Sequence, residues 1–174
     1  MYDEIFNDED MIKFQDILKE NEQTVTTAES CTGGLISSMI TEISGSSQIF
    51  KGSVVTYCNE IKEQELNVQK ETMIKYGVVS NEVVEQMLEG VIKKFNSDYA
   101  IAVSGVAGPG GGTEKKPVGT VSIGVLSKSG AKKINTYHFK GSRKEVQLQA
   151  AKTALKLNFE ISSKKPWHIF YNSL

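Results

Sequence analysis

The chain has 174 residues, 39% of them hydrophobic and 24% charged, with a formal net charge of −1. These values suit a single globular domain and give no electrostatic case for nucleic acid, since the twenty Lys and Arg are scattered. No apolar run approaches the roughly 18 residues of a membrane span, and the first ten residues hold five acids and no basic start, unlike a signal peptide.

Asp8 to Asn21 carries Met11, Phe14, Ile17 and Leu18 on one face and predicts an amphipathic helix. Gln23 to Ala28 alternates and is rich in Thr and Val, which predicts a strand. Glu29 to Gly34 interrupts it as a tight turn. Leu35 to Ile43 follows as a helix, with Gly45 in the place of a C-cap. Lys51 to Cys58 predicts a second strand, and Asn59 is placed to cap a short helix holding Lys62 and Leu66. Glu71 to Tyr76 predicts a helical turn stopped by Gly77. Ser80 is a good N-cap for the next helix, whose apolar face runs from Val83 to Phe95.

Tyr99 to Val103 is a nearly continuous apolar run, the pattern of a strand buried on both faces. A loop follows in which five of the eight residues from Gly105 to Gly112 are glycine. Thr120 to Val125 alternates as a strand. Lys128-Ser129-Gly130 predicts a turn, and Lys133 to Phe139 an antiparallel return. Ser142 and Glu145 have capping-box spacing at the start of a last helix carrying Val146, Ala150, Ala154, Leu155 and Leu157. Residues 160 to 174 show no clear period. Alternating strands and helices closed by a hairpin predict an α/β fold: a three-layer α/β/α sandwich with a mixed, mostly parallel sheet. Ligand sites in such sheets lie where loops leave strand ends, which picks out Glu29–Gly34, Tyr57–Lys62 and Ser104–Gly119.

Ser30 follows a predicted strand and precedes two glycines and a helix. That is the logic of a nucleophile elbow, although Ala28 stands where the first glycine of Gly-x-Ser-x-Gly belongs. The commoner role for Ser30 or Thr32 at this place is a helix cap. A nucleophilic serine needs a base. His138 sits on a strand away from the glycine loops, and His168 lies in the irregular tail beside Trp167. Lysine is the other option, given burial that lowers its pKa, and Lys62 is the candidate. Most helix lysines are simply solvated. Cys31 is the rival nucleophile, but no His-Asn pattern accompanies it, and a buried structural cysteine is the commoner case. Two cysteines, Cys31 and Cys58, make no disulfide framework and favour a reducing compartment, with the cytoplasm as the default. The glycine loop has neither the Gly-Lys-Ser/Thr of a P-loop nor a helix opening from it, yet its amides suit a phosphate, and Pro109 and Pro117 stiffen it. Arg143 is placed to meet a phosphate or carboxylate, though an exposed helix arginine is commoner. No HExxH, CxxC or EF-hand spacing occurs, so no metal and no cofactor is expected.

Taken in order, six motifs resemble the C-terminal domain of the CinA family, the competence/damage-inducible proteins that include nicotinamide mononucleotide deamidases. They are Thr27-Ala28-Glu29-Ser30-Cys31-Thr32-Gly33-Gly34, Gly45-Ser46-Ser47 with Phe50, and Tyr57-Cys58-Asn59-Glu60-Ile61-Lys62. After them come Tyr76-Gly77-Val78-Val79-Ser80, Ser104 to Gly111, and Lys116 to Val121 with the Phe139…Arg143 stretch. The resemblance runs from about residue 10 to 160. Ser53 departs from a glycine frequent in the family, and Asn67 stands where Leu-Gly-Val is common. The larger members carry a further N-terminal domain, so the chain looks like the stand-alone amidase form.

The resemblance implies metal-independent hydrolysis of nicotinamide mononucleotide to nicotinic acid mononucleotide and ammonia. It makes Ser30 the nucleophile, Lys62 the general base, and Tyr57 a hydroxyl that assists proton transfer or positions the lysine. It assigns substrate contacts to Cys31, Thr32, Gly33 and Gly34, with the amides of Cys31, Gly33 and Gly34 in an oxyanion hole. Ser104, Gly105, Ala107, Gly108, Gly110, Gly111 and Thr113 would face the ribose or phosphate, with Arg143 as a substrate-binding charge. The expected partner is a small nucleotide substrate, with no nucleic acid and no membrane, and the expected assembly a homodimer. Two other readings stand beside it: a Ser-Lys amidase for another amide, and a non-catalytic partner-binding protein linked to competence. The retained Ser30, Tyr57 and Lys62 weigh against the last.

Overall fold

The computed structural model describes residues 1–164; Trp167 and His168 lie outside them. Five strands form one sheet: β1 (Val25–Glu29), β2 (Phe50–Val55), β3 (Tyr99–Gly105), β4 (Thr120–Ser127) and β5 (Lys132–His138). Their order is β2-β1-β3-β4-β5. β2, β1 and β3 pair in parallel, while β4 pairs antiparallel with both β3 and β5. β4 alone therefore opposes the other four strands, and the pairings divide evenly between parallel and antiparallel.

The mixed sheet and the three layers agree with the sequence reading. On one face pack α1 (Asp8–Glu20), α2 (Leu35–Thr41) and α6 (Arg143–Ser162). On the other pack α3 (Asn59–Leu66), α4 (Lys70–Tyr76) and α5 (Asn81–Phe95). The first face buries bulky strand residues, Val25, Ile101, Val103, Val121, Ile123 and Val125. The second presents small ones, Ala28, Ala100 and Ala102. This asymmetry lets α5 lie close on the sheet, where a Cβ at Gly124 would stand 2.7 Å from Val84 Cγ1.

Several local expectations shift. Glu29 is the last residue of β1 rather than part of the turn. β2 ends at Val55, three residues before Cys58. Cys58, not Asn59, is the N-cap of α3. Gly45 does not cap α2, whose C-cap is Glu42; it adopts φ +83° to start a 3-10 turn over Ser46–Gln48. α6 continues to Ser162, through part of the stretch without a clear period. Asn67 takes φ +57° as the C-cap of α3, a left-handed position that Asn tolerates better than most side chains. No helix among the described residues is long and apolar enough to cross a membrane.

Candidate active site

All three segments singled out in the sequence leave the same end of the parallel strands β1, β2 and β3. Ser30 follows β1 directly, and its amide donates to Val103 O on β3 (3.1 Å). The chain then folds back: Gly33 N donates to Ser30 O (3.1 Å), and Gly33 and Gly34 take φ +62° and +98°. A side chain at either position would be strained, so the paired glycines are what the turn requires.

Lys62 reaches this turn from the first turn of α3. Its Nζ lies 3.2 Å from Ser30 Oγ and donates to Thr56 O at 2.7 Å. The residue is 1% exposed, and among the described residues no carboxylate pairs with it. Burial pushes its pKa below 10.5, with the Cys58 and Cys31 thiols opposing. Burial makes the neutral amine easier to reach than at a solvated lysine, and in that form it accepts a proton from a hydroxyl in hydrogen-bond reach.

Cys31 sits beside Ser30, and its environment raises its pKa where that of Lys62 is lowered. Its thiol is pushed up from 9.0 to about 12, chiefly by burial, and the positive Lys62 and Arg143 only partly offset this. The thiolate is the reactive form, so Cys31 is inert near neutral pH. Iodoacetamide at about pH 8 should therefore alkylate the exposed Cys58 and spare buried Cys31 until the protein is unfolded. Peptide mapping reads this directly, and equal labelling of both would contradict the burial.

A cleft of about 280 Å³ opens over the serine, walled by Tyr57, Arg143 and the glycine loop from Gly105 to Gly111. Arg143 clasps it: Nη1 donates to Gly108 O (2.7 Å) and Nη2 to Tyr57 Oη (2.6 Å). The Tyr57 hydroxyl thus meets Arg143, and it makes no hydrogen bond to Ser30 or Lys62. In this arrangement Tyr57, 61% exposed, serves as a wall of the cleft that holds Ser30.

Other assigned residues are engaged within the chain. Ser104 is buried behind the cleft, donating to Val78 O (3.0 Å). Thr113 is outside the cleft, and its Oγ1 accepts from Lys116 N. Thr32 turns inward and donates to Glu29 Oε2 (2.8 Å). The amides of Gly33 and Gly34 are occupied, by Ser30 O and Glu29 Oε2. Among the described residues, the amides of Cys31, Thr32, Ala107, Gly108, Gly110 and Gly111 make no hydrogen bond to another residue. Of these, Cys31 beside Ser30 and the four loop residues line the cleft; Thr32 lies just behind Cys31 in the turn. His138 lies at the loop end of β5, not away from it, but its ring meets Thr120 Oγ1 (3.3 Å) in a separate cleft.

Sequence reasoning gave Glu29 no role. It is fully buried, and its carboxylate accepts from Thr32, Gly34, Ile36 and Ser37. Gln147, whose Nε2 donates to Cys31 O (2.8 Å), was missed as well. A carboxylate at the end of a strand, leading into the turn with its paired glycines, was the available clue to Glu29. Among the described residues no three His, Cys, Asp or Glu side chains gather to hold a metal ion.

The model of the CinA C-terminal domain matches residues 9–161. A CinA-like protein of Endomicrobium trichonymphae is 51% identical over 141 residues, which is 81% of this chain and 33% of that protein. One from Fervidobacterium nodosum is 53% identical over 132 residues, 76% of this chain and 32% of that protein. The chain thus spans about a third of the length of these curated relatives. Among solved structures, a competence/damage inducible protein from Agrobacterium tumefaciens superposes with a TM-score of 0.86 at 36% identity, covering 88% of this chain and 93% of that one. A competence damage-inducible protein A from Klebsiella pneumoniae gives 0.86 at 31%, covering 91% and 98%.

Proposed function

The chain belongs to the CinA C-terminal-domain family, and from that premise we propose that it hydrolyses the carboxamide of nicotinamide mononucleotide by a Ser30–Lys62 mechanism. The observation that carries this reading is the buried Lys62 amine, without a carboxylate partner among the described residues, 3.2 Å from Ser30 Oγ at the floor of a cleft. A carboxamide is a poor electrophile, so it calls for both an activated nucleophile and oxyanion donors.

Neutral Lys62 takes the Ser30 Oγ proton as the oxygen attacks the carboxamide carbon. The carbonyl electron pair moves onto oxygen, and the free amides of Cys31 and Thr32 are the nearest donors in sequence to meet it. Collapse of the adduct breaks the C–N bond, and the Lys62 ammonium returns its proton to the leaving nitrogen, releasing ammonia. Water then attacks the acyl-serine with Lys62 again as base, freeing the acid and Ser30. The free amides of Ala107, Gly108, Gly110 and Gly111 suit the phosphate, because backbone N–H groups in a concave loop bind anions.

The test is ammonia release from nicotinamide mononucleotide, with the product identified by mass. Equimolar ammonia and nicotinic acid mononucleotide are expected. Folded protein that releases none would overturn the substrate, and a panel of other carboxamides would then separate another amidase from a partner-binding protein.

A further inference from the structure

We infer that Glu29 is the positioning residue of the Ser30 turn: its carboxylate locks the backbone that aims Oγ and reserves the Cys31 and Thr32 amides for the oxyanion. This rests on the Ser-Lys reading above.

The alternation of β1 sends Thr27 and Glu29 toward α2 and leaves Ser30 to meet α3. The Glu29 carboxylate is 0% exposed, and both oxygens are in use. Oε2 accepts from Thr32 Oγ1 (2.8 Å), Gly34 N (3.0 Å) and Ile36 N (3.1 Å). Oε1 accepts from Ser37 N (2.9 Å) and Ser37 Oγ (2.6 Å), while Thr27 Oγ1, 3.4 Å away, gives its one proton to Ser53 Oγ (2.6 Å). Every partner donates, which only an acceptor-only group can satisfy at both oxygens.

These bonds reach across the nucleophile, from the strand residue before it to the helix after it. In a strand-turn-helix nucleophile the helix amides are the ready oxyanion donors. Here Gly34, Ile36 and Ser37 are spent on Glu29, and Gly33 on Ser30 O. Cys31 and Thr32 are the turn amides that remain. Glu29 thus sorts the amides into those that hold the turn and those left for the reaction, while touching no reacting atom itself.

Phenylmethanesulfonyl fluoride reads the aim of Ser30 without reference to any substrate. The Oγ–S bond forms, the S–F bond breaks, Lys62 takes the proton and fluoride leaves. Glu29→Gln places a donating amide NH2 against donors whichever way it turns. With native circular dichroism, this variant should be labelled at Ser30 about 30-fold more slowly than wild type, because misplacement of about 1 Å costs up to two orders of magnitude. The pH midpoint of labelling should stay put, since the surroundings of Lys62 are intact.

A purely structural Glu29 would lower the melting temperature and leave labelling within about twofold of wild type, and that result overturns the inference. Should Glu29→Gln fail to fold, Thr32→Val and Ser37→Ala each remove one donor, from opposite oxygens. Each should slow labelling by about fivefold, and wild-type rates in both would overturn the inference. Failure of the serine reading looks different: wild type then takes no label on Ser30, and the role of Glu29 falls with it. Labelled wild type that leaves nicotinamide mononucleotide intact demotes the substrate alone.

Discussion

Ser30→Ala and Lys62→Met should each lower kcat by about 10³-fold, and the double variant should fall no further. Two groups that perform one proton transfer act as a unit, so removing either removes the step. The geometry requires this coupling, because Lys62 Nζ has only Ser30 Oγ and Thr56 O as hydrogen-bond partners among the described residues. Additive losses would mean that the two residues act in separate steps. Activity surviving in Ser30→Ala would turn attention to Cys31, against its raised pKa. The rate should also rise with pH along a limb whose midpoint lies below 10.5, as Lys62 loses its proton. A rate independent of pH would sink the lysine base.

Lys62 leaves a mark on stability too. Burial makes it hold its proton less tightly in the folded chain than in the unfolded one, where 10.5 is the ordinary value. Between the lowered folded value and 10.5 the unfolded chain binds more protons, so the free energy of unfolding rises with pH. Below that window the cost of burying the ammonium is fully present; above it the cost is gone. Lys62→Met has no such dependence. The melting temperature of wild type should therefore gain on the variant as pH rises from neutral, and a constant difference would mean that Lys62 titrates normally.

The fold was legible in the sequence wherever apolar spacing decides structure. The Tyr99–Val103 run became the central strand, and the Val83–Phe95 face became the helix across its back. Boundaries moved where backbone geometry decides instead. Gly45 and Asn67 both occupy left-handed positions, but only the folded chain shows which turn each one serves. The division of the sheet also depended on β4, whose direction follows from the long glycine loop before it rather than from its own residues.

The site was legible as segments rather than as contacts. Ser30 and Lys62 stand 32 positions apart in sequence, and only the parallel pairing of β1 with β2 puts the turns that follow them side by side. Hydroxyls are ambiguous for one reason: Thr32, Ser104, Thr113 and Tyr57 are the residue types that contact ligands, and they also satisfy nearby protein groups. All four are engaged within the chain. Amides are invisible in a sequence, so which of them stay free emerged only after the accounting that Glu29 forces.

Gly90→Ala should destabilise the protein by about 2 kcal/mol and lower kcat by about 10²-fold in the molecules that remain folded. Alanine in a helix interior ordinarily gains about 1 kcal/mol over glycine, so the expected sign is reversed. The reason is the approach of α5 to α3: a Cβ at Gly90 would stand 2.2 Å from Leu66 O and 2.8 Å from Leu66 C. Those are backbone atoms, and no rotamer relieves them. The end of α3 has to move, and Lys62 sits one helical turn before Leu66, so the displacement passes to the Lys62–Ser30 contact. Thermal melting gives the first effect, and turnover measured well below the midpoint gives the second. A stabilised variant would mean that α3 yields freely. A destabilised one with wild-type kcat would mean that Lys62 holds its place through Thr56 O and not through the seating of its helix.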